Sequence, residues 1–278
     1  MSHARDPLQP GTSLYYAFQT APVARRAPLA DWIRWWHEVS AIPIAVQDAG
    51  VAEKKLHWWI QEIQAAQAGS PSHPLTQRLR PGTDEAPPVA LWNTQLLGLI
   101  SQLGQGRWLD EVARASHALE TTGAATEGAA WLLGVRSEAG LRAARELGRP
   151  LRQAHQLARL GQDARIGLLH VPISTLQAHD VKAHELLRPQ SSAPANWPQL
   201  LAHLQGTTSQ ELEAFHGQVR QLSQAERTAL TPMSVLADLQ AALIATINRQ
   251  GDRVLHERIM LTPLRKWWIS AWSRRRRS

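Results

Sequence analysis

Arg152, His155 and Arg159 recur at i, i+3 and i+7 in the run RPLRQAHQLARLGQDARIGLLHVP (149–172), and Asp163 follows one turn later. On an α-helix this spacing places all four on one face. A helix that holds magnesium for phosphate chemistry sets two carboxylates four residues apart on such a face, because hard divalent cations take oxygen ligands. Here the partner position is an arginine, so the run carries half of a metal site. Guanidinium groups can instead grip phosphate oxygens directly, two N–H donors to two oxygens. Asp163 also has the spacing to pair with Arg159, which would make the same face an ion-paired plug. Elsewhere, Asp110, Glu111, Glu120 and Glu127 read as a solvated helix face, and the histidines show no zinc spacing.

The elements that must position this face are helices. Apolar residues return every three or four positions, as in VAEKKLHWWIQEIQAAQAG (51–69) and PMSVLADLQAALIATINRQG (232–251), and no alternating strand pattern is present. Breaker-rich stretches at 69–88, 188–198 and 205–212 separate them, the last with Thr208 or Ser209 placed to cap a following helix. Ordinary helix lengths then give roughly eight to ten helices. No repeat period is visible, so one closed bundle is preferred to a solenoid. Tryptophan outnumbers phenylalanine twelve to two, which predicts that most of the body's tryptophans fill the core.

A chain of 278 residues, 44% hydrophobic, can bury a large core. It has no cysteine, which removes disulfides, thiolate nucleophiles and thiolate-bound zinc and suits a cytoplasmic protein. No apolar run follows the basic residues of the N-terminus, and no segment has the length of a spanning helix, so neither a secretory signal nor a membrane span is expected. Arg265, Lys266 and Arg274 to Arg277 supply six of the seven net positive charges, which leaves the body near neutral. That balance argues against nucleic acid, which calls for a broad basic surface. The tail combines those cations with Trp267, Trp268 and Trp272, a composition suited to contact with an anionic membrane surface through Trp267, Trp268, Trp272, Arg274, Arg275, Arg276 and Arg277.

Four segments, in order, resemble the squalene/phytoene synthase family, the head-to-head branch of the all-α isoprenoid synthases. They are SLYYAFQTAPVARRAPLADWIRWWHEVSAI (13–42), DAGVAEKKLHWWIQEIQAAQAGSPSHPLTQRL (48–79), ELGRPLRQAHQLARLGQDARIGLLHVP (146–172) and RVLHERIMLTPLRKWWISAW (253–272). The resemblance implies an all-α, single helical bundle of the isoprenoid synthase type with a central cavity. It places an isoprenoid-synthase-like domain at 1–260 and a Trp/Arg-rich helix and basic tail at 261–278. In that family two aspartate-rich helices hold magnesium ions that bind a prenyl diphosphate.

This chain departs from the family pattern where those ligands belong. Ser40, Ala41, Ile44 and Ala45 stand at the first motif, with Pro43 expected to bend or end the helix there, and His37 replaces an arginine. In the second motif Arg152, His155 and Arg159 replace polar and acidic residues, while Asp163, Arg165, Gly167 and Pro172 keep the family frame. The resemblance makes Ser13, Tyr16, His37, Arg152, His155, Arg159, Asp163 and Arg165 the candidates for holding a phosphate or diphosphate, with no catalytic residue, metal or other cofactor assigned. The expected function is a catalytically degenerate member that binds an isoprenoid or prenyl diphosphate-like lipid on the inner face of the membrane, with a protein partner admissible. Two alternatives are an active magnesium-dependent head-to-head prenyltransferase and a purely structural assembly factor.

Overall fold

The computed structural model describes residues 6–105, 107–188 and 192–275. In chain order the described helices are α1 (Ser13–Phe18), α2 (Val23–Ala45), α3 (Ala49–Gln67), α4 (Pro74–Leu79), α5 (Val89–Ser101), α6 (Glu111–Ala118), α7 (Ala124–Leu132), α8 (Glu138–Ala158), α9 (Leu160–Arg165), α10 (Ile173–Ala178), α11 (Ala183–Leu187), α12 (Trp197–Arg220), α13 (Gln224–Ala229), α14 (Thr231–Gln250) and α15 (Pro263–Arg275). No strand occurs among the described residues, and an isolated bridge pairs Arg107 with Leu169. A π-helical turn, Leu119–Gly123, joins α6 to α7 without a break. Fifteen helices are described where the periodicity predicts eight to ten; eight pieces are long, α2, α3, α5, the α6–α7 rod, α8, α12, α14 and α15. The other helices are single turns that connect them.

Local chemistry fixes the ends. Thr12, Asp48, Asp110, Ser137 and Ser223 accept backbone N–H groups at the starts of α1, α3, α6, α8 and α13. Prolines open α4, α12, α14 and α15, where the missing N–H costs nothing. The stretch 205–212 does not break the chain as its composition suggests. It lies inside α12, where the Thr208 hydroxyl donates to Leu204 O (2.8 Å) instead of capping a new helix. A threonine hydroxyl satisfied by the carbonyl four residues back is compatible with an uninterrupted helix.

Most of the body's tryptophans are in the core, as the composition predicts. Trp32, Trp35 and Trp92 are fully buried and meet with ring centroids 4.4–5.0 Å apart, with Trp59 edge-on to Trp35. These rings fasten α2 to α3 and α5. Trp32 also donates to Ala125 O of α7 (2.8 Å) across Gly128, where a Cβ would stand 2.2 Å from the ring. Buried Glu62 of α3 anchors the turn into α4 by accepting from Ser72, His73 N–H and Thr76. Burial alone would raise its pKa, but these donors outweigh burial and bring it down to about 2.

Candidate functional site

The site is assembled on α8. Ser137 caps this helix, and its middle must lie against the π-helical turn: Gly148 approaches Gly123 so closely that a Cβ there would be 2.3 Å from the Gly123 nitrogen. The approach brings Thr121 of the π turn and Gln102, just beyond α5, to the Arg152 guanidinium, which donates to Thr121 Oγ1 (3.4 Å) and Gln102 Oε1 (3.1 Å). Both acceptors are neutral, and among the described residues no carboxylate lies within ion-pair distance of Arg152. Burial, and then repulsion from Arg114, lower its pKa to about 10.

His155 follows one turn on. Its side chain is exposed at the surface, although protein surrounds it on most sides. Burial is the main cause that lowers its pKa to about 4, helped by Arg159, Arg258 and Arg152 and opposed by Asp163. Of these four neighbouring charges, Asp163 is the negative one. Arg258 feels Arg159 and Asp163 in turn, and Lys266, which donates to Gly11 O (2.7 Å), feels Arg258.

Helix α8 stops at Ala158. Arg159 leaves helical geometry (φ −114°, ψ 4°), and α9 restarts at Leu160, so the regular helix assumed from spacing is interrupted between the two halves of the motif. The i, i+4 pair survives the interruption. Arg159 donates Nε–H to Asp163 Oδ1 (3.2 Å), with Nη2 at ion-pair distance of the same oxygen (3.2 Å), and His170 Nε2 reaches Oδ2 (3.3 Å). Burial pushes the buried Asp163 carboxyl upward, but His170 and Arg159 outweigh it and hold its pKa low. Arg152 and Arg159 therefore differ: one is ion-paired, the other is not.

The remaining candidates are spread more widely. Arg165 is exposed and donates to Leu255 O (3.5 Å). Ser13 is the first residue of α1, whose cap is Thr12, and Tyr16 packs on the cluster of Ala17, Val235, Leu239 and Leu261. His37 of α2 is half-buried and contributes to the lowered pKa of Asp6, after the Leu8 N–H and Arg34. Ser40 donates to His37 O (3.4 Å) within its own helix, Ile44 and Ala45 are exposed, and α2 ends two residues after Pro43, as the proline predicts. Arg276 and Arg277 lie outside the described residues.

Sequence spacing did not point to Gln102, Thr121, His117, Arg258 or Lys266. His117 is buried with its Nε2 on Gly98 O (2.9 Å), which leaves Nδ1 without a partner; burial and then Arg152 lower its pKa to about 3. The glycine-flanked run ETTGAATEG (120–128) was the one available signal of an unusual helix here.

The magnesium cluster implied by the family can be tested on these donors. The first-motif positions offer one hydroxyl and three alkyl side chains, and both Asp163 oxygens are already taken by Arg159 and His170. Among the described residues no group of three or more histidine, aspartate or glutamate side chains is disposed to hold a metal ion. The residues present do not fit a carboxylate-held magnesium cluster.

Helix α15 packs on α14 and α1 with an inverted polarity. Ser270 and Ser273 face inward, the latter donating to Asp238 Oδ2 (2.5 Å), while Leu264, Trp267, Trp268 and Trp272 are 74%, 56%, 59% and 45% exposed. Trp268 and Trp272 stack at 5.5 Å, and Arg274 and Arg275 extend the same end. No described helix is long and apolar enough to cross a membrane.

The fold has solved counterparts. A dehydrosqualene synthase crystallised with ligand superposes with a TM-score of 0.78 at 14% identity, covering 95% of this chain and 91% of that one. Squalene synthase HpnC from Alicyclobacillus acidocaldarius gives 0.72 at 13%, covering 85% and 88%, and YisP from Bacillus subtilis subsp. subtilis strain 168 gives 0.66 at 14%, covering 93% and 89%. At these identities the likeness establishes the all-α isoprenoid synthase fold. No functionally curated protein sequence matches the chain significantly. The Squalene/phytoene synthase family profile, however, matches residues 9–265, nearly the whole chain, and the protein belongs to that family.

Proposed function

We propose that this protein binds a phosphorylated isoprenoid in a cationic recess at the surface of an anionic membrane, and does not carry out magnesium-dependent condensation. The observation that carries this reading is Arg152, a deep-set guanidinium whose partners are the neutral oxygens of Thr121 and Gln102. An uncompensated charge in such a place costs several kcal/mol, which a bound anion offsets. His155, with its pKa near 4, is neutral at pH 7, so the positive field comes from Arg152, Arg159 and Arg258. The similar solved proteins are synthases of dehydrosqualene and squalene, which favours a prenyl tail on the anion.

The test is thermal unfolding in EDTA with inorganic pyrophosphate or farnesyl diphosphate. At about a hundred times Kd, binding should raise Tm by roughly 5 °C, and Arg152→Ala should lose the shift. An equal shift in Arg152→Ala would defeat the recess. Formation of a squalene- or phytoene-type hydrocarbon with magnesium, abolished by Asp163→Asn, would establish the prenyltransferase alternative instead. A protein that shows neither a shift nor a co-purifying isoprenoid would be the structural assembly factor.

Membrane contact is assigned to α15, whose outward tryptophans suit the headgroup zone and whose arginines each contribute on the order of 1 kcal/mol at an anionic leaflet. The protein should co-sediment with phosphatidylglycerol-containing vesicles, less so at high salt. The triple variant Trp267→Ala, Trp268→Ala, Trp272→Ala should stay in the supernatant, and equal sedimentation of that variant would refute the assignment.

A further inference from the structure

A second recess opens on another flank of α8. Where Arg152 and His155 face the cationic site, Gln153, Gln156 and Leu157 of α8 are turned about a third of the way round the helix and, with Leu160 of α9, line a space against α6, α12 and the segment 168–172. Between these walls lies a cavity of about 180 Å³. Its floor is apolar, made by Leu157, Leu160, Leu168, Val171 and Leu204.

Most polar groups on its walls are already satisfied. Glu111 holds Arg114 by two hydrogen bonds. The Gln153 amide takes an Arg114 N–H on its oxygen and donates to Thr208 Oγ1 and Glu211 Oε2 (3.2 Å each). Thr207 donates to His203 O (3.1 Å), and His170 Nε2 is occupied by Asp163. Gln156 and His203 are the exceptions. His203 is exposed at the rim, whereas the Gln156 side chain is buried, lines the cavity and makes no hydrogen bond among the described residues, so its amide has a donor pair and an acceptor to offer a guest.

The character of the guest follows from these groups. The charge of Arg114 is neutralised by Glu111, and Glu211 lies nearby, so an anion gains little here. A dry cavity of about 150 Å³ accommodates benzene, so this one suits a body of roughly eight heavy atoms. We propose that this lateral cavity is a binding site for a small uncharged amphiphile, an apolar ring or branched chain whose single hydroxyl or carbonyl bonds to the Gln156 amide. The proposal does not depend on the cationic recess.

Fluorine NMR titration of the full-length protein with para-fluorobenzyl alcohol, para-fluorotoluene and para-fluorobenzoate tests it. The alcohol should bind saturably and more tightly than either relative. Gln156→Leu should weaken the alcohol about tenfold and leave the toluene unchanged. Thr207→Trp, at a half-buried wall position, should block the alcohol while its urea unfolding midpoint stays near the parent's, which shows that the variant is folded. Absence of saturable binding, tighter binding of the benzoate, or undiminished binding of the alcohol to both variants would overturn the assignment.

Discussion

Gly148→Ala is expected to destabilise the protein by about 3 kcal/mol, at the upper end of overpacking costs, even though alanine is the better helix former by about 1 kcal/mol. The new Cβ would stand 2.3 Å from the Gly123 nitrogen, 2.4 Å from its Cα and 2.7 Å from the Thr122 carbonyl carbon. All three are backbone atoms, so no side-chain rotation relieves the clash and α8 must back away from the π turn. The displacement also separates Arg152 from Thr121, so pyrophosphate binding should weaken along with stability. Gly206→Ala in α12 is the control: nothing lies within 4 Å of its Cβ position, and the substitution should stabilise by up to about 1 kcal/mol. Urea unfolding of both variants decides the matter, and a Gly148→Ala protein as stable as the parent would show that the two backbones do not touch.

Trp32→Ala should cost about 3–5 kcal/mol, the range for removing a large buried ring. Trp32 is 1% exposed, stacks on Trp35, meets Trp92 edge-on and donates to Ala125 O, so its loss opens a cavity among α2, α5 and α7. Phenylalanine separates the ring from its N–H. Trp32→Phe forfeits the bond to Ala125, about 1 kcal/mol more than the lost area, whereas Trp35 has no partner for its Nε1 and Trp35→Phe loses area alone. Trp268→Ala, on the outer face of α15, should stay within about 0.5 kcal/mol of the parent. Chemical denaturation with unchanged m-values measures all four, and equal losses at Trp32 and Trp268 would contradict this placement of the core.

The bundle was legible in the sequence because helical periodicity and punctuation are local properties. Proline and capping residues mark most helix starts, and the order of four motif segments identifies how the helices assemble. Thr208 misled because a threonine in a polar run has the composition of a cap, while its hydroxyl's actual acceptor is a carbonyl one turn back. The pairing of Arg159 with Asp163 was equally legible, four residues apart as it is. The isolation of Arg152 was not, since it depends on which side chains other helices bring across, here Thr121 and Gln102 and no acid. Arg258 and Lys266 arrive from about a hundred residues downstream, where nothing in their neighbours marks them. The tail's composition suggested an interfacial role for its tryptophans, but only the inward position of Ser270 and Ser273 establishes that the rings face out.

The π turn between α6 and α7 sets a phase. One residue more than an α-helical turn allows, inserted between Leu119 and Gly123, rotates everything upstream by about 100° relative to the rod that follows. Arg114 thereby meets Gln153 of α8, His117 meets Gly98 of α5, and Thr121 sits at the bend itself. With the surplus residue absent, the same amino acids would lie on an unbroken cylinder and address different neighbours. The placement of these polar groups is thus decided by the angular offset of one extra residue as much as by what the residues are.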